Sequence, residues 1–312
     1  MRHLGTVMQW LGSCAVVLTV LPLIATGQVT VNLLRTIDHP VPVNSGHFGG
    51  AVNSYNGNIL VGATGTSHTV HLMDISTGAE LLRLTSPSAQ EASFGDAVVQ
   101  VGQQIAVGDG QGLGGAGQAY LFDGLTGQLV RTINNPGGGS YFASCIQPVG
   151  QRLLINSHSS NIGISGLVHA FNPNTGQFLS TITNPDAGGY GFGFDLEEHQ
   201  GDVFISEIGG LSSGVTAGAV FRFNGTTLAQ QFKISAPTAE DTGFFGWAMD
   251  SNDSQLLVGA PNLDVSGDIN VGQAYLYDAN TGNLLRTFNH PEPSEFSSFG
   301  MGVGADQELR RN

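Results

Sequence analysis

One phrase recurs, with variations, along this chain. Its clearest copy, at residues 272–291, reads Gly-Gln-Ala-Tyr-Leu-Tyr-Asp-Ala-Asn-Thr-Gly-Asn-Leu-Leu-Arg-Thr-Phe-Asn-His-Pro, and earlier copies keep the same order of apolar, turn and basic residues. The prolines that close successive copies are 47 to 54 residues apart, at Pro40, Pro87, Pro136, Pro185, Pro237 and Pro291. A period of this size is typical of the blades of a β-propeller.

Each period contains four short apolar segments, which we name a to d in chain order. Clusters of Gly, Asn, Ser and Pro separate them, and this pattern predicts strands joined by turns. Segment d follows a tight turn that begins with Asp or Asn and ends with Gly, as at 123–127. Segment a begins with a phenylalanine, which glycine follows in five of six copies: Phe48, Phe94, Phe142, Phe192, Phe245 and Phe299.

Segments b and c are apolar on both faces. In segment c, Tyr120 and Phe122 alternate with Ala119 and Leu121, and successive side chains of a strand point to opposite faces of its sheet. A sheet buried on both faces must lie between two neighbours, as blades do when they pack around an axis. We therefore predict an all-β fold, a β-propeller of four-stranded antiparallel blades.

Five complete blades and an incomplete sixth are predicted. An unaccompanied segment d lies at 34–37, and an unaccompanied segment a begins at Phe299. Two explanations stay open at this point. Either five blades close the ring with two accessory strands, or the reading frame lacks roughly 30 residues judged from the other repeats.

The N-terminus predicts a secretory signal peptide at residues 1–27. Arg2 precedes an apolar run from Cys14 to Ala25, and small residues follow it. The predicted propeller occupies 28–304, with repeats at about 48–87, 94–136, 142–185, 192–237 and 245–291 and a partial one at 299–304. Residues 305–312 form an unpatterned tail. We expect a secreted protein, extracellular or periplasmic, with no membrane span after cleavage.

Charge excludes one class of partner. The formal net charge is −14, and Lys233 is the single lysine. Phosphate binding depends on clustered Lys and Arg, so nucleic acid is not an expected partner. Cys145 is the one cysteine beyond the predicted leader, so no intramolecular disulfide is expected in the mature chain.

The Phe-Gly of segment a, together with Leu-Leu-Val-Gly-Ala-Pro at 256–261, resembles the FG-GAP repeats of the integrin α-chain N-terminal propeller and of many bacterial secreted proteins. The resemblance implies a propeller and is compatible with adhesion modules and lectin-like binders. Many such repeats carry an Asp-rich calcium loop before segment b. The corresponding loops here are degenerate, and only 250–254 is partly acidic, so no cofactor is predicted although calcium stays possible.

The stretch 278–285 also resembles the repeat of pyrroloquinoline-quinone dehydrogenases, which supplies an enzyme alternative. That family uses vicinal cysteines and a docking tryptophan near the end of the motif. Here Arg286 stands near the tryptophan position. The resemblance therefore implies a quinoprotein-like oxidoreductase only as an alternative.

Candidate site residues are those that put a polar group where the repeat has a small neutral one. Asp109, Ser157 and Glu207 occupy the end of segment b, where two other blades have alanine, and Asp195 replaces alanine in segment a. Buried carboxylates are costly unless paired. We predict that Asp109, Ser157 and Glu207 line a shared polar surface for a sugar or a cation. The alternative is that these residues cap turns or face solvent.

Other unusual residues have a structural interpretation. His71 and His169 take the place of aromatic rings in segment c, and Cys145 takes the place of alanine in segment a, so packing accounts for all three. The preferred function is a secreted, non-enzymatic propeller whose loops bind an extracellular protein or glycan. The alternative is an extracellular propeller enzyme, either a hydrolase or a quinoprotein-like oxidoreductase.

Overall fold

The computed structural model describes residues 5–11, 14–20, 31–41, 47–88, 93–111, 115–137, 140–158, 165–186, 188–212, 215–238, 240 and 242–305. The predicted cleavage site at 25–27 and residues 306–312 of the predicted tail lie outside these ranges. Within them, no helix has the length and apolar character needed to cross a membrane.

Five four-stranded antiparallel blades form a propeller ring, and in each the strands lie side by side in chain order. The first two blades contain β4 (Phe48–Tyr55), β5 (Asn58–Ala63), β6 (Thr69–Met73), β7 (Glu80–Thr85), then β8 (Phe94–Val101), β9 (Gln104–Asp109), β10 (Gln118–Asp123) and β11 (Leu129–Asn134). The third contains β12 (Ile146–Val149), β13 (Arg152–Ser157), β14 (Leu167–Phe171) and β15 (Phe178–Thr183).

The last two blades follow the same plan. They contain β16 (Phe192–His199), β17 (Asp202–Glu207), β20 (Ala219–Phe223), β21 (Gln230–Ser235), then β22 (Met249–Ser251), β23 (Gln255–Ala260), β24 (Gln273–Asp278) and β25 (Leu284–Asn289). In the b–c loop of blade 4, a small hairpin pairs β18 (Leu211–Ser212) with β19 (Val215–Thr216). Segments b to d of the sequence thus correspond to strands in every blade, and segment a corresponds to the start of the first strand in blades 1, 2 and 4. In blades 3 and 5 the first strand begins four residues after the segment a phenylalanine, at Ile146 and Met249.

A three-stranded antiparallel sheet adjoins blade 1. It contains β1 (Gly5–Leu11), β2 (Cys14–Val20) and β3 (Val31–Ile37), in that order. Ile37 packs with Phe48 and Val61 in the core of blade 1, and Arg35 Nη1 donates a hydrogen bond of 2.6 Å to Thr77 O. The strands β1 and β2 fall within the predicted signal peptide, which stays a prediction.

The core lies between blades, as the two-faced apolar pattern predicts. One cluster joins Leu60 and Val70 of blade 1 to Phe94 and Tyr120 of blade 2, and similar clusters fill the next three interfaces. The outer strands are largely exposed. Those of blades 1 to 4 bury one residue each, such as Ile133, and β25 of blade 5 buries none. Packing between neighbouring blades therefore supplies most of the buried apolar area.

The Phe-Gly motif has a packing reason and a backbone reason. Phe94 is fully buried, with its ring centroid 5.8 Å from that of Tyr120 in the same blade. Gly95 has φ 99°, a left-handed conformation that costs glycine little, and it lies in a bulge between β8 and β9. Blade 3 has Ala143 there, with φ 71°.

The c–d turns are closed by side-chain caps. Asp123 Oδ1 accepts hydrogen bonds from the N–H groups of Leu125 and Thr126 and from Thr126 Oγ1, at 3.1, 2.7 and 2.8 Å. These bonds hold the pKa of Asp123 below its ordinary value. The Asp-to-Gly part of the repeated phrase is therefore a turn.

His71 and His169 lie on β6 and β14, and both rings are buried within their blades.

Candidate functional site

Asp109, Ser157 and Glu207 lie at the ends of β9, β13 and β17, in three successive blades. All three are fully buried, with 0% of their surface exposed. They lie under the face of the ring that carries the b–c and d–a loops, which we call the upper face. The opposite face carries the a–b and c–d turns.

Each of the three binds the loop that enters its own blade. Asp109 Oδ1 accepts hydrogen bonds from Ser93 N and Oγ, both at 3.1 Å, and Ser157 Oγ donates to Ser140 O at 3.4 Å. Asn184 Nδ2 donates to Glu207 Oε1. These contacts make the residues loop anchors in separate blades. The shared ligand surface stays a prediction that no contact of theirs supports.

Within the described part of the chain, two carboxylate oxygens of these anchors, Asp109 Oδ2 and Glu207 Oε2, have no hydrogen-bond partner. The pKa of Glu207 is raised to about 7, mainly by burial and also by the nearby Asp186 carboxylate, while the hydrogen bond from Asn184 and the charge of Lys233 oppose the rise. Lys233 forms an ion pair with Asp186. Glu207 is thus half-protonated near neutral pH, which reduces the cost of its burial.

A row of five aromatic rings crosses the upper face from blade 3 to blade 5. We call Tyr141, His158, Phe194, Trp247 and Phe244 the aromatic row. Consecutive ring centroids are 5.6, 5.4, 4.7 and 5.7 Å apart, and the two end pairs are stacked, with interplanar angles of 25° and 27°. Tyr141 is 38% exposed, and the other four rings are partly exposed.

Equivalent positions of different blades supply these rings. Phe194 and Trp247 are the third residues of segment a, two places after the buried phenylalanine, where blade 1 has Gly50. Tyr141 and Phe244 immediately precede that phenylalanine. Segment a begins beside the end of strand b, so both positions reach the upper face near the axis.

Two rings of the row are held by strained backbone. Tyr141 has φ 51° and Phe244 has φ 55°, whereas the equivalent residue of blade 4 is Gly191, with φ 71°. A left-handed conformation costs a bulky residue on the order of 1 kcal/mol or more, and the residue before the segment a phenylalanine also adopts it at His47 and Ser298, with φ 44° and 50°. Two blades therefore place aromatic side chains where glycine would fit without strain.

Polar groups lie at the blade 3 end of the row. Ser144 Oγ is 3.1 Å from His158 Nδ1, and Asn156 Nδ2 donates to Ser144 Oγ at 3.0 Å. Burial lowers the pKa of His158 to about 4, so its ring is neutral at physiological pH. A neutral imidazole with a hydroxyl beside it can both donate and accept hydrogen bonds.

A carboxylate approaches this end from blade 2. A Cβ atom built on Gly110 would lie 3.1 Å from Ser144 Cβ and 3.4 Å from Asp96 Oδ2, so both side chains border the same glycine. Burial raises the pKa of Asp96 to about 6, opposed by a hydrogen bond from Ser93 and helped by the charge of Asp109. Near pH 7, Asp96 is mostly ionised and supplies an acceptor.

Sequence reasoning missed the aromatic row. The signal was present, because Phe194, Trp247, Ser144 and Asp96 all occupy the third position of segment a, where residue type differs most between blades. Attention to charged replacements of alanine led instead to Asp109 and Glu207. Asp195, the fourth residue of the same segment, does lie near the axis.

In the described part of the chain, no group of three or more His, Cys, Asp or Glu residues is placed to hold a metal ion. At the partly acidic loop 250–254, Asp250 Oδ2 accepts the Ala305 N–H at 2.6 Å and Oδ1 accepts the Ser251 N–H at 2.9 Å. Calcium binding there stays a possibility raised by sequence.

Comparisons with known proteins supply no further assignment. No model of a known protein family matches the chain, and no curated protein sequence matches it. The geometry of the upper face is therefore the basis of the functional argument.

Proposed function

We propose that this chain is a secreted, non-enzymatic propeller that binds a glycan along the aromatic row of its upper face. The observation that carries the proposal is the continuous row of five rings, two of them on strained backbone. A sugar ring has an apolar C–H face and a rim of hydroxyl groups. Aromatic rings offer apolar contact to the face, while Ser144, neutral His158 and Asp96 offer hydrogen bonds to the rim.

The arrangement of the row favours an extended ligand over a compact one. Its rings belong to three blades and follow one another at 4.7 to 5.7 Å, so a chain of sugar units could contact several in turn. The acidic character of the whole protein, at net charge −14, disfavours sulfated or otherwise polyanionic glycans. We therefore expect a neutral or amine-bearing polysaccharide.

The test is a glycan-binding screen on the mature chain, residues 28–312, with and without calcium. Trp247→Ala should weaken binding of the best ligand by about 10- to 100-fold, the equivalent of about 1.4 to 2.8 kcal/mol. Phe296→Ala is the matched control, because Phe296 is 64% exposed but lies outside the row. Equal affinity of the Trp247 variant and wild type would refute the proposal. If the screen found a protein ligand and no glycan, the proposal of a glycan ligand would be wrong.

The sixth blade belongs to the same proposal. We propose that β3 and the segment at 299–303 take the d and a positions of an incomplete sixth blade in the mature chain. Two contacts support this. Phe299 N donates to Val271 O at 2.8 Å, as Phe245 N does to Ala217 O at 3.1 Å one blade earlier. Arg35 binds a turn carbonyl of blade 1, as Arg131 binds Asn174 O of blade 3.

Membership of the FG-GAP repeat family is also a proposal. The buried phenylalanine and the left-handed glycine of segment a explain why that motif repeats, which supports the resemblance in physical terms. Each repeat would then contribute one blade.

Mass spectrometry of the secreted protein, giving its first residue, would test the predicted cleavage near residue 27.

One observation favours the hydrolase alternative. Ser144 Oγ and His158 Nδ1 are 3.1 Å apart, within reach for a nucleophile and a general base. The low pKa of His158 makes it a weak base, however, which favours binding over catalysis. Hydrolysis of a polysaccharide or ester that Ser144→Ala abolishes, with binding retained, would establish the enzyme instead.

A further inference from the structure

Carboxylate side chains join the innermost strands of blades 4 and 5. Asp195 Oδ2 accepts the N–H of Met249 at 2.7 Å. Two residues along the same strand, Glu197 Oε1 accepts the N–H and the hydroxyl of Ser251 at 3.1 and 2.8 Å. Alternate residues of β16 thus bind alternate residues of β22, although the two strands belong to different sheets.

The same kind of contact continues beyond blade 5. Asp250 Oδ2 accepts the N–H of Ala305, in the segment after Phe299, at 2.6 Å. We call Asp195, Glu197 and Asp250 the axial carboxylates. At the corresponding places blades 1 and 2 have uncharged residues: Ala51, Asn53, Ala97 and Val99.

The axial carboxylates are close enough to influence one another. The pKa of Asp195 is raised to about 6, mainly by burial and also by the charge of Asp250, while the N–H groups of Met249 and Leu196 oppose the rise. Burial raises the pKa of Glu197 to about 8, and the charges of Asp250 and Asp195 add to the effect. From blade 3, the Cys145 thiol faces Asp195 at 3.9 Å.

We propose that the axial carboxylates form a proton-dependent joint, which holds blade 5 and the C-terminal segment against blade 4 in mildly acidic solution and loosens in alkaline solution. The hydrogen bonds keep the groups together at the axis, and bound protons remove the repulsion between them. A neutral Glu197 still accepts the Ser251 bonds, whereas three charged groups repel across both contacts.

The direction in which stability changes with pH follows from the linkage between folding and proton binding. Unfolded carboxyl groups titrate near pH 4, while Asp195 and Glu197 titrate near 6 and 8 in the fold. The folded state therefore binds more protons between these limits, and stability falls as the pH rises through them. The contribution is intact below about pH 4 and is lost by about pH 9.

The joint also bears on the aromatic row. Phe194 precedes Asp195, and Trp247 lies two residues before Met249, so the joined strands carry the pair of rings 4.7 Å apart. Loosening the joint should alter the surroundings of Trp247. The fluorescence of Trp247 reports these surroundings without any ligand, so it tests the joint independently of glycan binding.

The experiment uses the full chain with Trp10→Phe, which leaves Trp247 as the one tryptophan. Urea unfolding is followed by its fluorescence at pH 5.5, 7.0 and 8.5. We expect the wild-type midpoint to fall steadily with pH. Glu197→Gln should make the fall measurably smaller, because the amide keeps an oxygen acceptor and cannot ionise. Part of the fall should remain, since the pKa values of Glu207 and Asp96 are also raised.

Glu198→Gln is the matched control. Glu198 is adjacent on β16, but its Oε1 accepts the N–H of Gly201 in the a–b turn. The control should retain the wild-type fall. A wild-type midpoint independent of pH, or equal falls in both variants and wild type, would overturn the proposal. If Glu197→Gln does not fold, wild-type hydrogen exchange decides: protection of the Met249 and Ser251 amides must decrease from pH 5.5 to 8.5 after correction for intrinsic rates.

Discussion

Gly108 is the residue at which a single methyl group should separate two blades. A Cβ atom there would lie 1.8 Å from Ala143 O, a backbone atom of blade 3. A Cβ atom essentially never lies within 3.0 Å of such an atom, so blades 2 and 3 must separate here by at least 1.2 Å. Gly108 has no left-handed conformation, so Gly108→Ala tests space rather than backbone strain.

The magnitude follows from the packing that this opening disturbs. The interface between blades 2 and 3 is packed by Ala97, Ala106, Ile146 and Ile155. A gap of about 0.5–1 Å already forfeits a quarter to a half of the dispersion energy between facing atoms, and overpacking costs about 1–3 kcal/mol. Because the obstacle is backbone and cannot rotate away, we expect about 3 kcal/mol of lost stability.

The assay is urea unfolding, with the free energy of unfolding compared between variant and wild type. Gly302→Ala is the control, because a Cβ there would meet no atom within 4 Å and the backbone is not left-handed. It should change stability by less than about 0.5 kcal/mol. If Gly108→Ala were as stable as the control, the close approach between blades could not be a constraint on this position.

Two further predictions concern single side chains. Arg131→Ala should cost about 0.5–1 kcal/mol of unfolding free energy, because Arg131 Nη2 donates a solvent-exposed bond of 2.6 Å to Asn174 O of the next blade. The exposed Arg286, which takes the same place in blade 5, is the control, and a comparable loss in Arg286→Ala would contradict the role given to Arg131. Burial and the Asp195 charge raise the pKa of Cys145, so in a Cys14→Ser background a thiol reagent at pH 8 should label the native protein at least about tenfold more slowly than the urea-unfolded one. Rapid native labelling would contradict the raised pKa of this partly buried thiol.

The blades were predictable from sequence because each of their features repeats. The period, the two-faced apolar pattern and the Asp-to-Gly turn each predict the same strands, and the structure confirms five blades of four strands. The Phe-Gly pattern of segment a did not itself reveal its bulge. Nothing in a one-dimensional pattern states that Gly95 O approaches Gly62 of the preceding blade.

The site was less predictable because it depends on contacts between blades. Asp109 and Glu207 stood out as charges in apolar runs. Asp109 binds Ser93, 16 positions away in sequence, and Glu207 binds Asn184, 23 positions away, and no sequence pattern links either pair. Asn156 illustrates the same difficulty. It takes the place of the glycine of strand b in blade 3, and its side-chain amide donates to Gly193 O of blade 4 at 2.9 Å.

Within segment a, packing decides which positions can vary, and this locates function more firmly than charge does. The first residue is a buried phenylalanine in every blade, and the second adopts a left-handed backbone that favours glycine. The third reaches the upper face, where a change of side chain leaves the core intact. Glycine, aspartate, serine, phenylalanine and tryptophan therefore all occur there. A ring of equivalent blades can recognise an asymmetric ligand only through positions that vary in this way. Blades 4 and 5 place Phe194 and Trp247 at the third position, and the residue before the phenylalanine and the start of the b–c loop supply the other rings of the aromatic row.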